Sequence, residues 1–261
     1  MVEDVVQIRT DGTVQTVTIN RPERRNALNE SVAEGIISAL DQAEADRRIR
    51  AIVLTGAGDK AFCAGGDLQL NADGTPFTIA AEDPRHYIAR LLRRMRDCRI
   101  PLIARLNGHA LAGGFGLVCA CDLAVARDDI LVGVSEVKVG LFPMMILPLL
   151  LRVVPERILM EMCLTGEPFT GAEAADMRLV NYAVPKADLD QKLNWLVERV
   201  VSKSPTGIRL GKQSLTRIRE MSFDGALEYA QFMLANMART QDAREGFTAF
   251  AEKRPPNWTG S

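Results

Sequence analysis

The sequence of 261 residues predicts an α/β fold with a mixed first part and a helical last part. Two apolar runs of strand length, at residues 51–56 and 102–108, each precede a glycine-rich segment that leads towards a helix. From about residue 188 onward the pattern is almost entirely helical. We therefore expect a mixed core over residues 1–187, followed by a helical region over residues 188–261.

The first part of the chain alternates strand signals with helix signals. Two β-branched runs flank an Asp11-Gly12 turn, which is typical of a hairpin. Apolar residues at helical spacing predict a helix over residues 29–47, and a basic helix over residues 86–98 follows a polar loop at 71–84. The remaining strands are predicted at residues 51–55, 102–106, 123–126, 130–134 and 180–184.

In the last part of the chain, a proline and a cap residue separate the predicted helices. Pro205 is disfavoured inside a helix, and Ser222 is a favoured N-cap residue type. The candidate helices are residues 189–202, 206–220, 223–240 and 242–253. The most apolar stretch, residues 141–154, is too short to span a bilayer, and we interpret it as the wall of a pocket or of a subunit interface.

Composition and charge argue against several classes of function. With 32 Lys and Arg against 33 Asp and Glu, the chain lacks the positive charge of a nucleic-acid-binding protein, so we expect no nucleic-acid partner. The N-terminal segment carries Glu3 and Asp4 and no apolar core of a signal peptide. We therefore expect a cytoplasmic protein with no membrane association.

The cysteines support the same location. Five cysteines, an odd number and mostly in apolar surroundings, do not form a disulfide framework and indicate a reducing cytosol. Cys119 and Cys121 have no nearby His or Cys partners in the sequence, so we expect no metal site there.

The main candidate site consists of two glycine-rich segments and one carboxylate. The segments are AFCAGGDL at residues 61–68 and NGHALAGGFGLVCACD at residues 107–122, and the carboxylate is Glu136. One backbone N–H group from each segment can converge on a single carbonyl oxygen as an oxyanion hole, which needs small residues because the substrate must approach the main chain. A helix that begins near Gly113 would add its positive dipole end.

In this combination the sequence resembles the crotonase superfamily, also called the enoyl-CoA hydratase/isomerase family. The resemblance covers almost the whole chain, and it also includes VTINRPERRNALN at residues 17–29, LTGEPFTGAEAADMRLVNYAVP at 164–185 and EGFTAFAEKRPP at 245–256. It implies a spiral of ββα units with a C-terminal helical trimerisation region. It therefore implies a homotrimer or a dimer of trimers.

The resemblance also implies an acyl-CoA thioester as the substrate, with no cofactor beyond the CoA moiety of that substrate. Gly66 and Gly113 would donate their N–H groups to the thioester oxygen, and Glu136 would act as the acid/base. Matched positions also imply contacts with CoA, the last two of them with the CoA of a neighbouring subunit. These residues are Arg24, Ala27, Ala64, Asp67, Leu68, Phe250 and Lys253.

One position departs from the two-glutamate hydratases of the family, which carry their first glutamate three residues after the donor glycine. This chain has Gly116 there, and three interpretations remain open. In a one-glutamate hydratase, one water supplies the hydroxyl group and, through Glu136, the proton. In a Δ3,Δ2-enoyl-CoA isomerase, Glu136 moves a proton between C2 and C4. The third interpretation is an acyl-CoA-binding protein without turnover.

Of the three interpretations we favour hydration of a 2-enoyl-CoA, because AGGFGLVCACD and SEVKVGLFP are similar to the single-glutamate hydratases. Met144 stands where the dienoyl-CoA isomerases and aromatic dehalogenases of the family carry an aspartate, which argues against both. We interpret His109 as a buried imidazole with satisfied hydrogen bonds, and His86 as the residue that starts a basic helix.

Overall fold

The computed structural model describes residues 4–67 and 85–261, and within these residues the strands form two sheets, of six and of four strands. The strands are β1 (Val6–Asp11), β2 (Val14–Ile19), β3 (Ala51–Gly56), β4 (Ala61–Cys63), β5 (Leu102–Leu106), β6 (His109–Leu111), β7 (Leu123–Arg127), β8 (Leu131–Gly133), β9 (Phe169–Thr170) and β10 (Tyr182–Val184). The larger sheet has the order β1-β2-β3-β5-β7-β10, and the smaller sheet has the order β4-β6-β8-β9.

Helices cover both sheets and continue to the end of the chain. They are α1 (Glu30–Ala45), α2 (Tyr87–Asp97), α3 (Gly113–Ala120), α4 (Leu147–Val153), α5 (Glu156–Thr165), α6 (Gly171–Asp176), α7 (Leu189–Val201), α8 (Pro205–Ile218), α9 (Phe223–Met237) and α10 (Gln241–Glu252). In the described ranges, no helix combines the length and the apolar character that crossing a membrane requires. The predicted α/β fold is confirmed, and the polar loop predicted over residues 71–84 lies outside the described residues.

From β3 to β8, successive strands alternate between the two sheets, which produces the repeated ββ unit. In each of the pairs β3 and β4, β5 and β6, and β7 and β8, the first strand joins the larger sheet and the second joins the smaller one. Strands β3, β5 and β7 are parallel neighbours, and so are β4, β6 and β8. All three short second strands therefore run in the same direction and end at the same edge of the smaller sheet.

Helix α1 begins at a side-chain cap and buries one apolar face. The side-chain oxygen of Asn29 accepts a hydrogen bond from the N–H of Val32 at 2.9 Å, a cap that contributes about 1 kcal/mol in typical helices. The buried residues recur at helical spacing, and they are Val32, Ala33, Ile36, Ala39, Leu40 and Ala43. The amphipathic pattern therefore determines both the existence of this helix and its orientation.

The C-terminal helices differ in how much they bury. Helix α7 packs on the larger sheet, where Leu193 and Val197 join a buried cluster with Val53 and Ile103. Helix α8 is tied to the core through Lys212, whose ammonium lies 2.6 Å from the carboxylate of Asp122. Helix α9 has no buried residue.

Candidate active site

The two glycine segments and Glu136 all follow strands of the smaller sheet. Strand β4 leads to Gly66, β6 leads to Gly113, and two residues separate the last residue of β8 from Glu136. Ligand sites of α/β proteins lie beyond the carboxyl ends of parallel strands, because loops from neighbouring strands meet there. The chain thus brings its three main candidate residues to one edge of one sheet.

The N–H group of Gly66 points away from the chain segment that holds it. Gly66 forms a parallel bridge with Leu28, in which the N–H of Leu28 donates to Gly65 and the N–H of Asp67 donates to Leu28, both at 2.7 Å. In a parallel bridge the central residue directs its own N–H to the opposite side. Among the described residues, this N–H has no hydrogen-bond acceptor.

Gly113 is the first residue of α3, and its N–H group is also without an acceptor in the described part of the chain. The first N–H groups of a helix have no partner within the helix, and they carry its positive dipole end. The preceding residue, Ala112, has a φ of 51°, and its N–H donates to the carbonyl of Gly133 at 2.8 Å. The end of β8 therefore orients the turn that presents Gly113.

The two glycine turns are in contact, and the contact explains why these positions are small. A Cβ atom at Gly65 would lie 2.8 Å from the Cβ of Ala112, and Gly65 has a φ of +101°. A Cβ atom at Gly114 would lie 2.0 Å from the carbonyl oxygen of Cys63 in β4. The first turn of α3 therefore rests directly on β4 and its following turn, and side chains at positions 65 and 114 would separate them.

Glu136 begins a 3-10 turn at Glu136–Val139, and one of its carboxylate oxygens is buried. Within the described residues, Oε2 has no hydrogen-bond partner, and burial raises the pKa of the carboxyl group. Neighbouring backbone N–H groups, its own and that of Ser135, oppose this increase in part. A half-buried carboxyl group with a raised pKa and a vacant hydrogen-bonding position is suited to proton transfer.

Four of the residues predicted to contact CoA lie in two loops that hydrogen bonds join beside Gly66. The N–H of Ala64 donates to the carbonyl of Arg25 at 3.1 Å. Arg21 donates to the carbonyl of Ala27 at 2.7 Å and forms an ion pair with Asp67 at 2.9 Å. Arg24 is exposed in the 3-10 turn at Pro22–Arg24, whereas Ala27 is buried.

Sequence reasoning missed two residues that hold this loop. Arg21 forms an ion pair with the carboxylate of Asp67. The side chain that was predicted to contact CoA at position 67 therefore already has a partner within the chain. Asn26 is fully buried with a φ of 56°, and its amide donates to the carbonyls of Ala57 and Ala61. Asparagine tolerates this left-handed conformation better than most residues, so an asparagine within this loop could have indicated a tight turn.

The remaining predicted CoA contacts lie elsewhere. Leu68 is outside the described residues. Phe250 is 86% exposed on α10, and Lys253 follows that helix with a φ of 55°. In the part of the chain that the structure describes, no hydrogen bond or ion pair joins either residue to the glycine segments. A contact with the CoA of a neighbouring subunit stays a prediction for both.

The interpretation of His109 as a buried imidazole is wrong. His109 is exposed at the start of β6, and its Nδ1 atom accepts a hydrogen bond from the N–H of Leu131 at 2.9 Å. Successive side chains of a strand alternate in direction, and Ala110 is the residue of β6 that is fully buried. His86 is the N-cap residue of α2, so its assignment as the helix start is confirmed.

Gly116 lies inside α3, and the space for a side chain there is already filled. A Cβ atom at Gly116 would lie 2.2 Å from Cγ2 and 2.8 Å from Cβ of Ile146. Ile146 is only 2% exposed. Ile146 thus fills the space that a glutamate side chain at position 116 would need, which explains why glycine fits there.

No group of three or more His, Cys, Asp and Glu side chains in the described ranges is arranged to hold a metal ion. Cys119 is buried in α3, and Cys121 ends that helix. Burial raises the pKa of both thiols, which keeps them protonated at neutral pH.

Comparison with known proteins identifies the family. The family described as enoyl-CoA hydratase/isomerase matches residues 9–261. A putative enoyl-CoA hydratase of Thermus thermophilus is 38% identical over 95% of this chain and 98% of its own length. An (E)-benzylidenesuccinyl-CoA hydratase of Thauera aromatica is 32% identical over 98% of this chain and 99% of its own.

A solved structure supports the same assignment. The enoyl-CoA hydratase of Mycobacterium smegmatis superposes with a TM-score of 0.91 at 34% identity, covering 98% of this chain and 99% of that one. Sequence and fold therefore agree over nearly the full length of the relatives. The chain belongs to the enoyl-CoA hydratase/isomerase family.

Proposed function

We propose that this protein adds water to the double bond of a 2-enoyl-CoA. One observation carries the proposal: two neighbouring N–H groups and a buried carboxylate oxygen, all three without a hydrogen-bond partner among the described residues, follow three parallel strands of one sheet. The N–H groups of Gly66 and Gly113 suit a thioester oxygen that gains negative charge, and Glu136 suits the transfer of a proton. Removing one such donor typically costs about 3 kcal/mol of transition-state stabilisation.

The proposed reaction needs only one carboxylate. Glu136 accepts a proton from water while the water oxygen forms a bond to C3 of the enoyl group. The electron pair of the double bond moves towards the thioester oxygen, where the two N–H groups stabilise the enolate. Glu136 then returns the same proton to C2, so that the product is a 3-hydroxyacyl-CoA and the carboxylate is restored.

The names of similar proteins favour hydration. The relatives from Thermus thermophilus and Thauera aromatica are both named as hydratases, and so is a short-chain-enoyl-CoA hydratase of Clostridium acetobutylicum at 31% identity over 95% of each chain. They support a 2-enoyl-CoA as the substrate class of this protein. A cytoplasmic location stays a prediction.

Isomerisation is the second candidate function, and the filled space at Gly116 is the observation that favours it. A Δ3,Δ2-enoyl-CoA isomerase removes a proton from C2 and returns it to C4 through an enolate. That reaction uses the same two N–H groups and one carboxylate, and it requires no oriented water. A binding protein without turnover would use the N–H groups alone.

We also propose that the chain assembles as a homotrimer or a dimer of trimers through its C-terminal helices. Helix α9 buries no residue within its own subunit. Several large apolar side chains of this region are exposed, including Phe223, Phe232, Leu234 and Phe247. Apolar surface of this extent on a folded chain is typical of an interface.

Hydration of crotonyl-CoA by the wild type, Glu136→Gln and Glu156→Gln tests the proposal. Glu156 is an exposed glutamate in the first turn of α5, and it serves as the matched control. We expect the wild type and Glu156→Gln to form 3-hydroxybutyryl-CoA at equal rates, and Glu136→Gln to form almost none. Equal rates for all three proteins would show that Glu136 is not the acid/base.

A further inference from the structure

Ile146 packs against the one position at which this chain departs from the two-glutamate pattern. It is the residue before α4, and it is 2% exposed. A Cβ atom at Gly116 would lie 2.2 Å from the Cγ2 methyl group of Ile146, 2.8 Å from its Cβ atom and 3.4 Å from its Cδ1 methyl group. Non-bonded carbon atoms are optimally separated by about 3.5 to 4.0 Å, so the first of these distances excludes a side chain at position 116.

The backbone around this contact is fixed on both sides. Ile146 accepts hydrogen bonds from the N–H groups of Leu149 and Leu150, at 2.9 and 3.0 Å, which start α4. On the other side, Gly114 holds α3 against the carbonyl of Cys63. A movement of either helix would disturb these contacts, so the Cγ2 methyl group of Ile146 is the part of the obstruction that a substitution can remove.

Ile146 also lies in the chain segment that begins at Glu136. The N–H of Leu141 donates to the carbonyl of Glu136 at 3.0 Å, and the N–H of Ile146 donates to the carbonyl of Pro143 at 3.2 Å. The same eleven-residue stretch therefore carries the candidate acid/base at its start and, at its end, the residue that fills the space beside position 116. This segment thus supplies Glu136 and excludes a second carboxylate at position 116.

We propose that Ile146 is a specificity-determining residue, which limits the site to one carboxylate and thereby sets the ratio of water addition to proton transfer. The inference rests on the proposed function, since it concerns how the same site divides between two reactions. A carboxylate at position 116 would accept a hydrogen bond from the attacking water and orient its oxygen towards C3. Transfer of a proton from C2 to C4 needs no such water and gains nothing from that carboxylate.

Four variants test this inference: Gly116→Glu, Ile146→Ala, the double variant Gly116→Glu/Ile146→Ala and a control double variant Gly116→Glu/Ile146→Val. Alanine at 146 removes the Cγ2 methyl group, whereas valine keeps it and loses only Cδ1. The first readout is the melting temperature of each variant. The second is the ratio of two rates, hydration of crotonyl-CoA and conversion of 3-hexenoyl-CoA to 2-hexenoyl-CoA.

We expect Gly116→Glu to lower the melting temperature by several degrees, and Ile146→Ala to recover part of that loss in the double variant, because alanine removes the 2.2 Å contact with Cγ2 and keeps the 2.8 Å contact with Cβ. The control with valine should melt like Gly116→Glu alone. The ratio of hydration to isomerisation should be at least tenfold higher in the double variant with alanine than in Ile146→Ala. A merely structural role of Ile146 would change stability and leave this ratio unchanged.

Two results would overturn the inference. One is a Gly116→Glu variant that melts and reacts like the wild type, and the other is a double variant with alanine that behaves like the one with valine. Failure of the proposed function looks different, because the wild type would then form no 3-hydroxybutyryl-CoA from crotonyl-CoA. In that case the proposed effect of Ile146 on the ratio of hydration to isomerisation fails together with the proposed function. The melting temperatures still show whether the side chains at positions 116 and 146 compete for the same space.

Discussion

A Cβ atom placed on Gly113 would lie 3.6 Å from the amide nitrogen of Gly66. The two residues follow different strands and are 47 positions apart in the sequence, and each presents an N–H group that has no acceptor in the described part of the chain. Their contact is the geometric basis for assigning one carbonyl oxygen to both donors. It also determines which substitutions can separate activity from stability.

Gly113→Ala is expected to lower activity without destabilising the fold. The new Cβ atom meets its neighbours at ordinary van der Waals distance, 3.6 Å, yet it stands beside the N–H of Gly66 and hinders an incoming oxygen. A loss of about 3 kcal/mol, typical for one oxyanion donor, corresponds to a fall of about 100-fold in kcat/KM. Steady-state kinetics and thermal unfolding of the same preparation measure both effects.

Gly211→Ala is the matched control for this prediction. Gly211 lies in α8, and a Cβ atom there would meet no atom within 4 Å. Replacement of glycine by alanine in such a helical position typically stabilises a protein by about 0.4 to 1 kcal/mol. We expect a small rise in melting temperature with unchanged kinetics, and unchanged kinetics for Gly113→Ala as well would contradict the role of the Gly66 and Gly113 N–H groups.

Glu136→Gln is expected to stabilise the protein at neutral pH while it abolishes turnover. Burial raises the pKa of Glu136 in the folded state above its unfolded value, so the folded state holds this proton more tightly. The contribution of the group to stability is then fully present at low pH and is lost as the pH rises through the folded pKa. The neutral amide avoids that loss.

Unfolding by urea at several pH values measures this effect. The free energy of unfolding of Glu136→Gln, relative to the wild type, should increase from pH 4 to pH 7. Glu156→Gln, with its exposed side chain, should show no such trend. A pH-independent difference for Glu136→Gln would mean that the carboxyl group is not perturbed by burial.

Asp242 is expected to stabilise the C-terminal segment in a pH-dependent way. The residue is 1% exposed, and burial alone would raise its pKa. Hydrogen bonds from the Ser204 hydroxyl group and from the N–H groups of Gly260, Thr259 and Thr206 outweigh burial and lower the pKa to about 2. A decrease of this size from an ordinary aspartate corresponds to about 2 kcal/mol of stability.

That stability should be present above the unfolded pKa, 3.8, and lost as the pH falls towards about 2. Asp242→Asn should lower the free energy of unfolding by at least about 2 kcal/mol at pH 7, because an amide offers one acceptor oxygen in place of two. Asp224→Asn is the control, since Asp224 is exposed in the first turn of α9. Equal stability of the two variants at pH 7 would contradict the account of Asp242.

The long elements were predictable from sequence because their periodicity is local. The buried positions of α1 repeat at helical spacing, and Asn29 marks its start. Helix α3 begins at Gly113, where the sequence predicted a helix N-terminus. The three-residue strands β4 and β6, which lead directly to the candidate donors, are too short to show a period and were not predicted.

The site itself was predictable only in part, because several of its contacts join distant residues. The pairing of Gly65 with Ala112 and that of Gly116 with Ile146 depend on how the strands are ordered, which no local pattern encodes. The exposure of His109 was missed for the same reason. The ion pair between Arg21 and Asp67 was missed because the two residues are 46 positions apart, and no residue near Arg21 in the chain indicated the contact.

Phe232→Glu is expected to dissociate the proposed trimer. Phe232 is 67% exposed on α9, and a charge there would be buried without a partner in an interface between subunits. Gln42→Glu adds the same charge to an exposed position on α1 and is the control. Light scattering should give a trimer or hexamer for the wild type and the control, and a smaller species for Phe232→Glu; a monomeric wild type would contradict the proposed assembly.

The most direct test of one-glutamate hydration follows oxygen from labelled water into product by mass spectrometry. Wild type and Glu136→Gln are incubated in H₂¹⁸O with crotonyl-CoA and, separately, with 3-hexenoyl-CoA. We expect the wild type to form a 3-hydroxyacyl product from crotonyl-CoA that carries one ¹⁸O atom, and Glu136→Gln to form none. Conversion of 3-hexenoyl-CoA to unlabelled 2-hexenoyl-CoA, with no labelled product from crotonyl-CoA, would contradict hydration and identify an isomerase.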